Sequence, residues 1–251
     1  MVGQAFGFCC SVNASYNNSR LIHWIKLVCR MPMFKNSNYQ RYFILYTAFS
    51  LLLSIYSYLY LDRSLTLFFQ SYEGSELEAF FDFITEFGEG FYWIVPTGLM
   101  YFFYRYFPLN FLPFSDWFIR NRLVDMRNAG FIALSALVSG IAVNLLKLVF
   151  ARYRPVELFQ NDNFGFNWFD YGYRMASFPS GHSATAMSVA FALVLLFPRY
   201  KLLILPIGLL IVFSRVVVIE HYLSDVIMGG FVGVLTTLYL YQKYFKKDLS
   251  S

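Results

Sequence analysis

Long apolar runs dominate the chain, and short polar segments separate them, without the strict alternation of a half-buried strand. A membrane-spanning helix needs about 20 mostly apolar residues, because the hydrocarbon layer is about 30 Å thick. Six windows meet or nearly meet this length: 42–61, 91–107, 130–150, 181–197, 201–219 and 225–244. The pattern therefore predicts an all-α fold, that of a polytopic membrane protein built as a bundle of six transmembrane helices.

The segment between the first two windows, 62–90, is acidic and has its own helical pattern. Its apolar residues recur at helical spacing: Leu77, Phe80, Phe81, Ile84 and Phe87. We expect an extra amphipathic helix in this first external loop, lying either in the headgroup plane or as a lid on the spans. Residues 1–40 are expected to form a cytoplasmic N-terminal tail, and residues 41–247 a single six-span domain.

Composition and charge support a membrane protein. The chain is 58% hydrophobic and only 14% charged, whereas a soluble domain has about 25% charged residues. This excludes a soluble globular domain, a disordered chain and a nucleic-acid binder. Fourteen of the 20 Lys and Arg residues fall on one side of the predicted spans, so both termini are predicted to be cytoplasmic. Three cysteines, Cys9, Cys10 and Cys29, predict neither a disulfide framework nor a zinc site.

Two cations mark the end of the third window. Lys147 and Arg154 are seven positions apart, which corresponds to two helical turns and one shared face. Pro155 is expected to end this helix. Two cations on one face suit an anion with several oxygens, although snorkelling to the interface would by itself explain Lys147.

The string SFPSGHS, residues 177–183, precedes the fourth window and predicts a turn that leads into a helix. Backbone N–H groups at a helix start lack intrahelical partners and favour an anion near Ser180. Gly181 allows the backbone to approach a ligand closely, and His182 is placed to donate a proton to a departing oxygen. An ordinary serine N-cap beside an interfacial histidine would explain the same string.

A third set of reactive residues joins the fifth and sixth windows. His221 and Asp225 are four positions apart, one helical turn, so the carboxylate can accept a proton from one ring nitrogen. The other ring nitrogen is then free to act as a nucleophile. Arg215 adds a further cation. For the histidine and aspartate alone, a satisfied surface hydrogen bond is the alternative.

All three segments are predicted to lie on the external side, where they combine three cations with two of the chain's three histidines. This set is typical of phosphoryl transfer, in which cations neutralise the phosphoryl oxygens, one histidine attacks and another protonates the leaving group. No carboxylate cluster that could hold two metals accompanies them, so we expect neither a metal nor another cofactor.

The strings KxxxxxxRP at 147–155, PSGH at 179–182 and SRxxxxxHxxxD at 214–225 resemble, in order and without departure, a known three-part signature. It is that of the type 2 phosphatidic acid phosphatase superfamily, which includes membrane lipid phosphatases and soluble vanadium haloperoxidases. The resemblance implies a helical bundle with its site near the external membrane surface and a reaction that needs no metal. Residues 41–247 would then form a lipid phosphatase domain.

The same resemblance implies roles for individual residues. His221 would be the nucleophile that forms a phosphohistidine, Asp225 would orient it, and His182 would protonate the leaving group. The residues expected to bind the substrate phosphate are Lys147, Arg154, Ser180, Gly181 and Arg215.

We therefore expect a hydrolase of the plasma (inner) membrane that removes a phosphate from a membrane lipid at the external, periplasmic face. Candidate substrates are undecaprenyl diphosphate, phosphatidylglycerol phosphate, phosphatidic acid and a lipid A phosphate, and the sequence does not choose among them. A lipid-to-lipid phosphotransferase and a non-catalytic protein that binds anionic lipids stay open as alternatives. A haloperoxidase is disfavoured, because a soluble scaffold would not need six apolar spans. The sequence leaves the oligomeric state open.

Overall fold

The computed structural model describes residues 37–106, 115–169 and 172–245. Within these ranges the chain is helical and has no regular strand, which confirms the predicted all-α class. The three cysteines and most of the expected N-terminal tail lie outside the described residues. The first described helix begins at Ser37, a few residues before the predicted domain boundary.

The α-helices of the described residues are α1 (Ser37–Tyr56), α2 (Asp62–Gln70), α3 (Glu76–Glu86), α4 (Gly90–Tyr106), α5 (Ser115–Lys147), α6 (Pro155–Asn161), α7 (Gly181–Leu196), α8 (Lys201–Val217) and α9 (Leu223–Leu240). A π-helical turn, Ser57–Leu61, joins α1 to α2, so that the two form one continuous helix. A second π-helical turn, Tyr241–Phe245, follows α9.

Each of the six predicted windows overlaps a helix. In the described residues, four helical stretches are long and apolar enough to cross a membrane: Arg41–Gln70, Met126–Lys147, Pro198–Val217 and Leu223–Lys243. The other two windows fall on shorter helices, α4 with 17 residues and α7 with 16. The chain is thus an integral membrane protein with at least four candidate spans, and the count of six stays a prediction.

Helices extend into two of the segments between the predicted windows. The helix of the first window continues past residue 61 to Gln70, and the side chain of Asp62 in this continuation is buried inside the protein. Between the second and third windows, α5 begins at Ser115, so that much of the segment before the third window is helical.

The prediction that Lys147 and Arg154 share a helical face is wrong. Helix α5 ends at Lys147, and residues 151–154 are extended, with Arg154 N–H donating to the carbonyl of Arg174. Pro155 begins the short helix α6 and does not end a long one. Proline suits this first helical position, because its missing N–H would be unpaired there in any case.

The amphipathic helix predicted in the first external loop is confirmed as α3. The hydroxyl of Ser75 caps its first turn by accepting the N–H of Glu78. Part of its apolar face packs on the bundle through Phe81 and Ile84, and the rings of Phe81 and Phe213 of α8 lie 6.4 Å apart. The helix therefore lies as a lid on the bundle, which was one of the two expected placements.

Helix α7 lies at the centre of the bundle and packs against α5, α8 and α9. Helix α9 approaches it closely at Gly229 and Gly233, where an added Cβ would lie 2.3 Å from the Ser180 carbonyl oxygen and 2.2 Å from that of Ala184. Small residues four positions apart permit such close contact between membrane helices. This packing holds the start of α7 against the start of α9.

Candidate active site

The three motif segments meet at one end of the bundle. The N–H of Ser180 donates to the backbone carbonyl of Asp225 over 3.0 Å, which joins the second motif directly to the third. The hydroxyl of Ser177 donates to the Asp225 carboxylate over 2.6 Å. Residues 151–154 run alongside, and the carbonyl of Arg152 accepts from the N–H of Ser177. Segments far apart in the sequence are thus fixed to each other by backbone as well as side-chain contacts.

A cavity of about 750 Å³ opens between these segments and α3. Most of the predicted site residues line it together: Lys147, Arg154, Gly181, His182, Arg215 and His221. The opposite wall is acidic and comes from α3 and the residues that follow it: Glu78, Asp82, Glu86 and Glu89. The cavity therefore has one cationic wall and one wall of carboxylates.

Arg154 and Arg215 share a carboxylate that the sequence analysis did not single out. Glu220 accepts a hydrogen bond from Arg154 Nη1 through Oε2, and the same oxygen lies 3.5 Å from Arg215 Nη2. Tyr173 contributes to this cluster, because its hydroxyl donates to Glu220 over 3.1 Å and its ring lies 3.9 Å from the Arg154 guanidinium. The two guanidinium groups thus converge on a point that an anionic oxygen occupies.

The start of α7 has the predicted form but uses Ser180 differently. The Ser180 hydroxyl caps the helix by accepting from the N–H and the hydroxyl of Ser183, over 3.4 and 3.0 Å. Ser180 is fully buried and is not part of the cavity lining, whereas Gly181 and His182 are. The side chain of Ser180 therefore shapes the helix start, and the backbone at Gly181 faces the cavity.

His221 lies in the loop before α9, so the prediction that it shares a helical turn with Asp225 is wrong in detail. Its Nδ1 atom is 3.7 Å from Oδ2 of Asp225, slightly beyond hydrogen-bond range. Burial lowers the pKa of His221 to about 3, because the charged imidazolium would lose its hydration there. The imidazole is therefore neutral at pH 7, with a lone pair available for attack on phosphorus.

Arg152 is a buried partner of Asp225 that the sequence analysis missed. Its side chain is fully buried and forms ion pairs with both Asp225 and Asp62, the latter over 2.8 Å. It also donates to the hydroxyl of Ser224 over 2.6 Å. Aromatic rings surround its guanidinium, with centroids within 5.5 Å: Tyr58, Phe164, Phe166 and Tyr222. Arg152 thus holds Asp225 through Oδ1, whereas His221 lies near the other oxygen, Oδ2.

Two signals in the sequence pointed to this network without revealing it. Asp62 is an acidic residue directly after an apolar window, and Arg152 is a cation two positions before a motif arginine. Intramembrane or membrane-edge charges are costly and usually have partners. The partner could not be identified because Asp62 and Arg152 are 90 positions apart.

His182 lines the cavity close to the acidic wall. Its Nε2 atom is 3.8 Å from a carboxylate oxygen of Glu89, and its side chain is partly exposed. Among the described residues, no group of three or more His, Cys, Asp or Glu side chains is placed to hold a metal ion.

Comparison with known proteins agrees with this geometry. The sequence profile of the PAP2 superfamily matches residues 128–249, the part of the chain that contains all three motifs. The match confirms the resemblance drawn from the motifs.

Two curated relatives share the name lipid A 1-phosphatase. The protein from Rhizobium etli is 38% identical over 104 residues, covering 40% of this chain and 45% of that protein. The protein from Rhizobium johnstonii is 32% identical over 148 residues, covering 59% of this chain and 60% of that protein. The alignments thus span between about half and three fifths of the length of these relatives.

A solved structure shares the fold. The crystal structure of Aquifex aeolicus LpxE superposes with a TM-score of 0.50 over 71% of this chain and 93% of that chain, at 21% sequence identity. The similarity extends beyond the matched motif region to the helices that precede it.

Proposed function

We propose that this chain is a membrane lipid phosphatase that acts through a phosphohistidine on His221. The observation that carries the proposal is the composition of a single cavity, which places two histidines with Lys147, Arg154 and Arg215. Mere binding of an anionic lipid would need the cations but not a buried, neutral imidazole beside a fixed carboxylate. The geometry therefore favours turnover over binding alone.

The reaction would proceed in two steps. The imidazole of His221 attacks phosphorus, the P–O bond to the lipid breaks, and His182, as the imidazolium that the anionic substrate favours, gives its proton to the departing oxygen. Water then attacks phosphorus and gives a proton back to His182, while the P–N bond breaks and its electron pair returns to the imidazole of His221, which leaves free phosphate. The cations stabilise charge on the phosphoryl oxygens in both steps, and Asp225 compensates the positive charge that forms on His221.

For the substrate we propose a lipid A-type glycolipid carrying a phosphomonoester on its sugar. The names of the two curated relatives support this class. The acidic wall of the cavity also supports it, because carboxylates accept hydrogen bonds from sugar hydroxyls, which phosphatidic acid lacks. The sugar would then lie against α3 while the phosphate lies against the arginines.

We further propose that the protein lies in the plasma (inner) membrane, with both termini cytoplasmic and the cavity on the periplasmic side. The support is the distribution of Lys and Arg, 14 of 20 of which fall on the side opposite the motifs.

The test is phosphate release by the purified full chain from four lipids: lipid A, phosphatidylglycerol phosphate, phosphatidic acid and undecaprenyl diphosphate. We expect lipid A to be the best substrate, activity to survive EDTA, and vanadate to inhibit. The His221→Ala variant is expected to lose activity by at least about a thousandfold, because it lacks the nucleophile. Asn144→Ala, which removes an exposed amide bonded within α5, is the control and should retain activity.

Several outcomes would contradict the proposal. Undiminished hydrolysis by His221→Ala would reject the nucleophile, and loss of activity on chelation would reject the metal-free mechanism. Label transferred to an acceptor lipid would indicate a phosphotransferase. Cleavage in sealed vesicles only when substrate is on the cytoplasmic face would reject the proposed orientation.

A further inference from the structure

The lid helix α3 contributes a buried hydroxyl to the cationic wall. Thr85 is 4% exposed, and its hydroxyl oxygen accepts a hydrogen bond from Arg215 Nη1 over 3.0 Å. The two residues are 130 positions apart, and Thr85 lies in none of the three motifs. A residue outside the motifs thus contacts one of the cations expected to bind phosphate.

The guanidinium of Arg215 has two contacts that differ in chemistry, one with Thr85 and one with Glu220. Glu220 is a charged partner, so its ion pair with Arg215 reduces the positive field in the cavity. Thr85 is a neutral acceptor, which fixes the direction of one N–H while leaving the full charge of the guanidinium for a ligand. Arg215 Nε has no partner among the described residues, so few other contacts orient this side chain.

The residues that follow α3 contact a second residue of the site, His182. A Cβ added at Gly88 would lie 3.1 Å from the Cβ of His182 and 3.2 Å from its Cδ2, so the backbone here rests directly on the histidine. One short segment, from Thr85 to Glu89, therefore contacts both a phosphate-binding arginine and the proposed acid.

We propose that Thr85 is a positioning residue for Arg215, and that α3 thereby supplies a fourth part of the active site. Thr85 also lines the cavity, and the proposed role is to orient the guanidinium of Arg215 and not to act on the reacting atoms. The inference rests on the proposed function only in taking the ligand to be a phosphoryl group. Binding of inorganic phosphate tests it without any turnover.

The experiment measures the dissociation constant of inorganic phosphate from the rise in unfolding temperature with phosphate concentration, using the purified full chain. Thr85→Val keeps the shape of the side chain and removes the acceptor. We expect it to weaken phosphate binding by about three- to tenfold, the effect of losing one hydrogen bond that orients a charged group. Thr85→Ser keeps the hydroxyl and should bind phosphate as the unmodified chain does.

Two further variants separate positioning from general damage. Thr236→Val removes a hydroxyl that bonds only within α9, remote from the cavity, and should not change phosphate binding. Thr85→Ala should weaken binding as Thr85→Val does, so that the result does not depend on one variant folding. In an Arg215→Ala background, Thr85→Val should cause no additional weakening.

The inference is overturned if Thr85→Val binds phosphate as tightly as the unmodified chain, or if Thr85→Ser binds as weakly as Thr85→Val. An additive effect in the Arg215→Ala background would also overturn it. If phosphate binding follows the expected pattern but no lipid is hydrolysed, the positioning role stands and the proposed function fails.

Discussion

Arg152 and Arg154 are separated by one residue, lie on the same extended segment and are both buried, but their carboxylate partners differ in exposure. Arg152 and both of its carboxylate partners are fully buried. Arg154 lines the cavity, and its partner Glu220 has a side chain that is 37% exposed. The partners of Arg152 are out of reach of water and ligand, whereas the partner of Arg154 can be replaced by water or a ligand.

The difference separates holding the site from binding the ligand. When a buried charge loses its partner, no water is present to solvate it. The ion pairs of Arg152 with Asp62 and Asp225 are therefore costly to break. Glu220, the partner of Arg154, is partly exposed and can be hydrated when the ion pair opens, so this pair exchanges partners at a lower cost. The ion pairs of Arg152 fix Asp225 next to His221. Arg154 places positive charge at the cavity that His221 also lines.

The largest expected effect is on the buried network. Arg152→Met removes the cation and leaves Asp62 and Asp225 as buried, uncompensated carboxylates. We expect the free energy of unfolding to fall by about 3–5 kcal/mol, the range for breaking a buried ion pair from one side. Thermal or denaturant unfolding of the purified chain in detergent measures it.

The matched control is Arg63→Met. Arg63 also pairs with an aspartate, Asp162, over 2.7 Å, but both side chains are largely exposed. Removing an exposed pair costs at most about 1 kcal/mol. Equal losses in the two variants would show that burial does not distinguish the Arg152 network.

The second prediction concerns the arginine at the cavity. Arg154→Met should lower kcat/KM for the lipid substrate by about a hundred- to a thousandfold, the usual effect of removing one group that stabilises charge in the transition state. The unfolding temperature should change little, because the partly exposed Glu220 becomes hydrated when its partner is lost. Parallel assays of activity and thermal unfolding measure both.

Arg199→Met serves as the control for this variant, since Arg199 lies at the opposite end of α7, far from the cavity, and should keep full activity. If Arg154→Met unfolds as readily as Arg152→Met, the two arginines do not differ as proposed.

The sequence predicted one of these arginines and not the other. Arg154 belongs to a string with fixed spacing, and the motif identified it together with His221, even though the helical reasoning behind the spacing was wrong. Arg152 is defined by contacts with Asp62 and Ser224, which are 90 and 72 positions away. Such contacts depend on how helices pack, and no local pattern encodes them.

In the fold, too, the sequence predicted the features that a local pattern defines and not those that depend on distant contacts. Hydrophobic runs predicted the helices, including the amphipathic α3, because periodicity is a local property. They did not predict that the first helix continues to Gln70, since the continuation depends on the burial of Asp62 beside Arg152. Nor did they show that α3 would contact Arg215 through Thr85.

The smallest expected effect concerns Glu220, which shows most directly that the partner of Arg154 is replaceable. Its carboxylate lies against both guanidinium groups, so phosphate must displace it or bind beside its negative charge. Glu220→Gln keeps the size and the hydrogen-bonding capacity but removes the charge. We expect inorganic phosphate to bind about two- to fivefold more tightly, in line with the modest strength of a partly exposed ion pair. Glu157→Gln is the control, because Glu157 pairs with Arg174 outside the cavity. Weaker phosphate binding in Glu220→Gln would show that Glu220 orients the arginines for the ligand and does not compete with it.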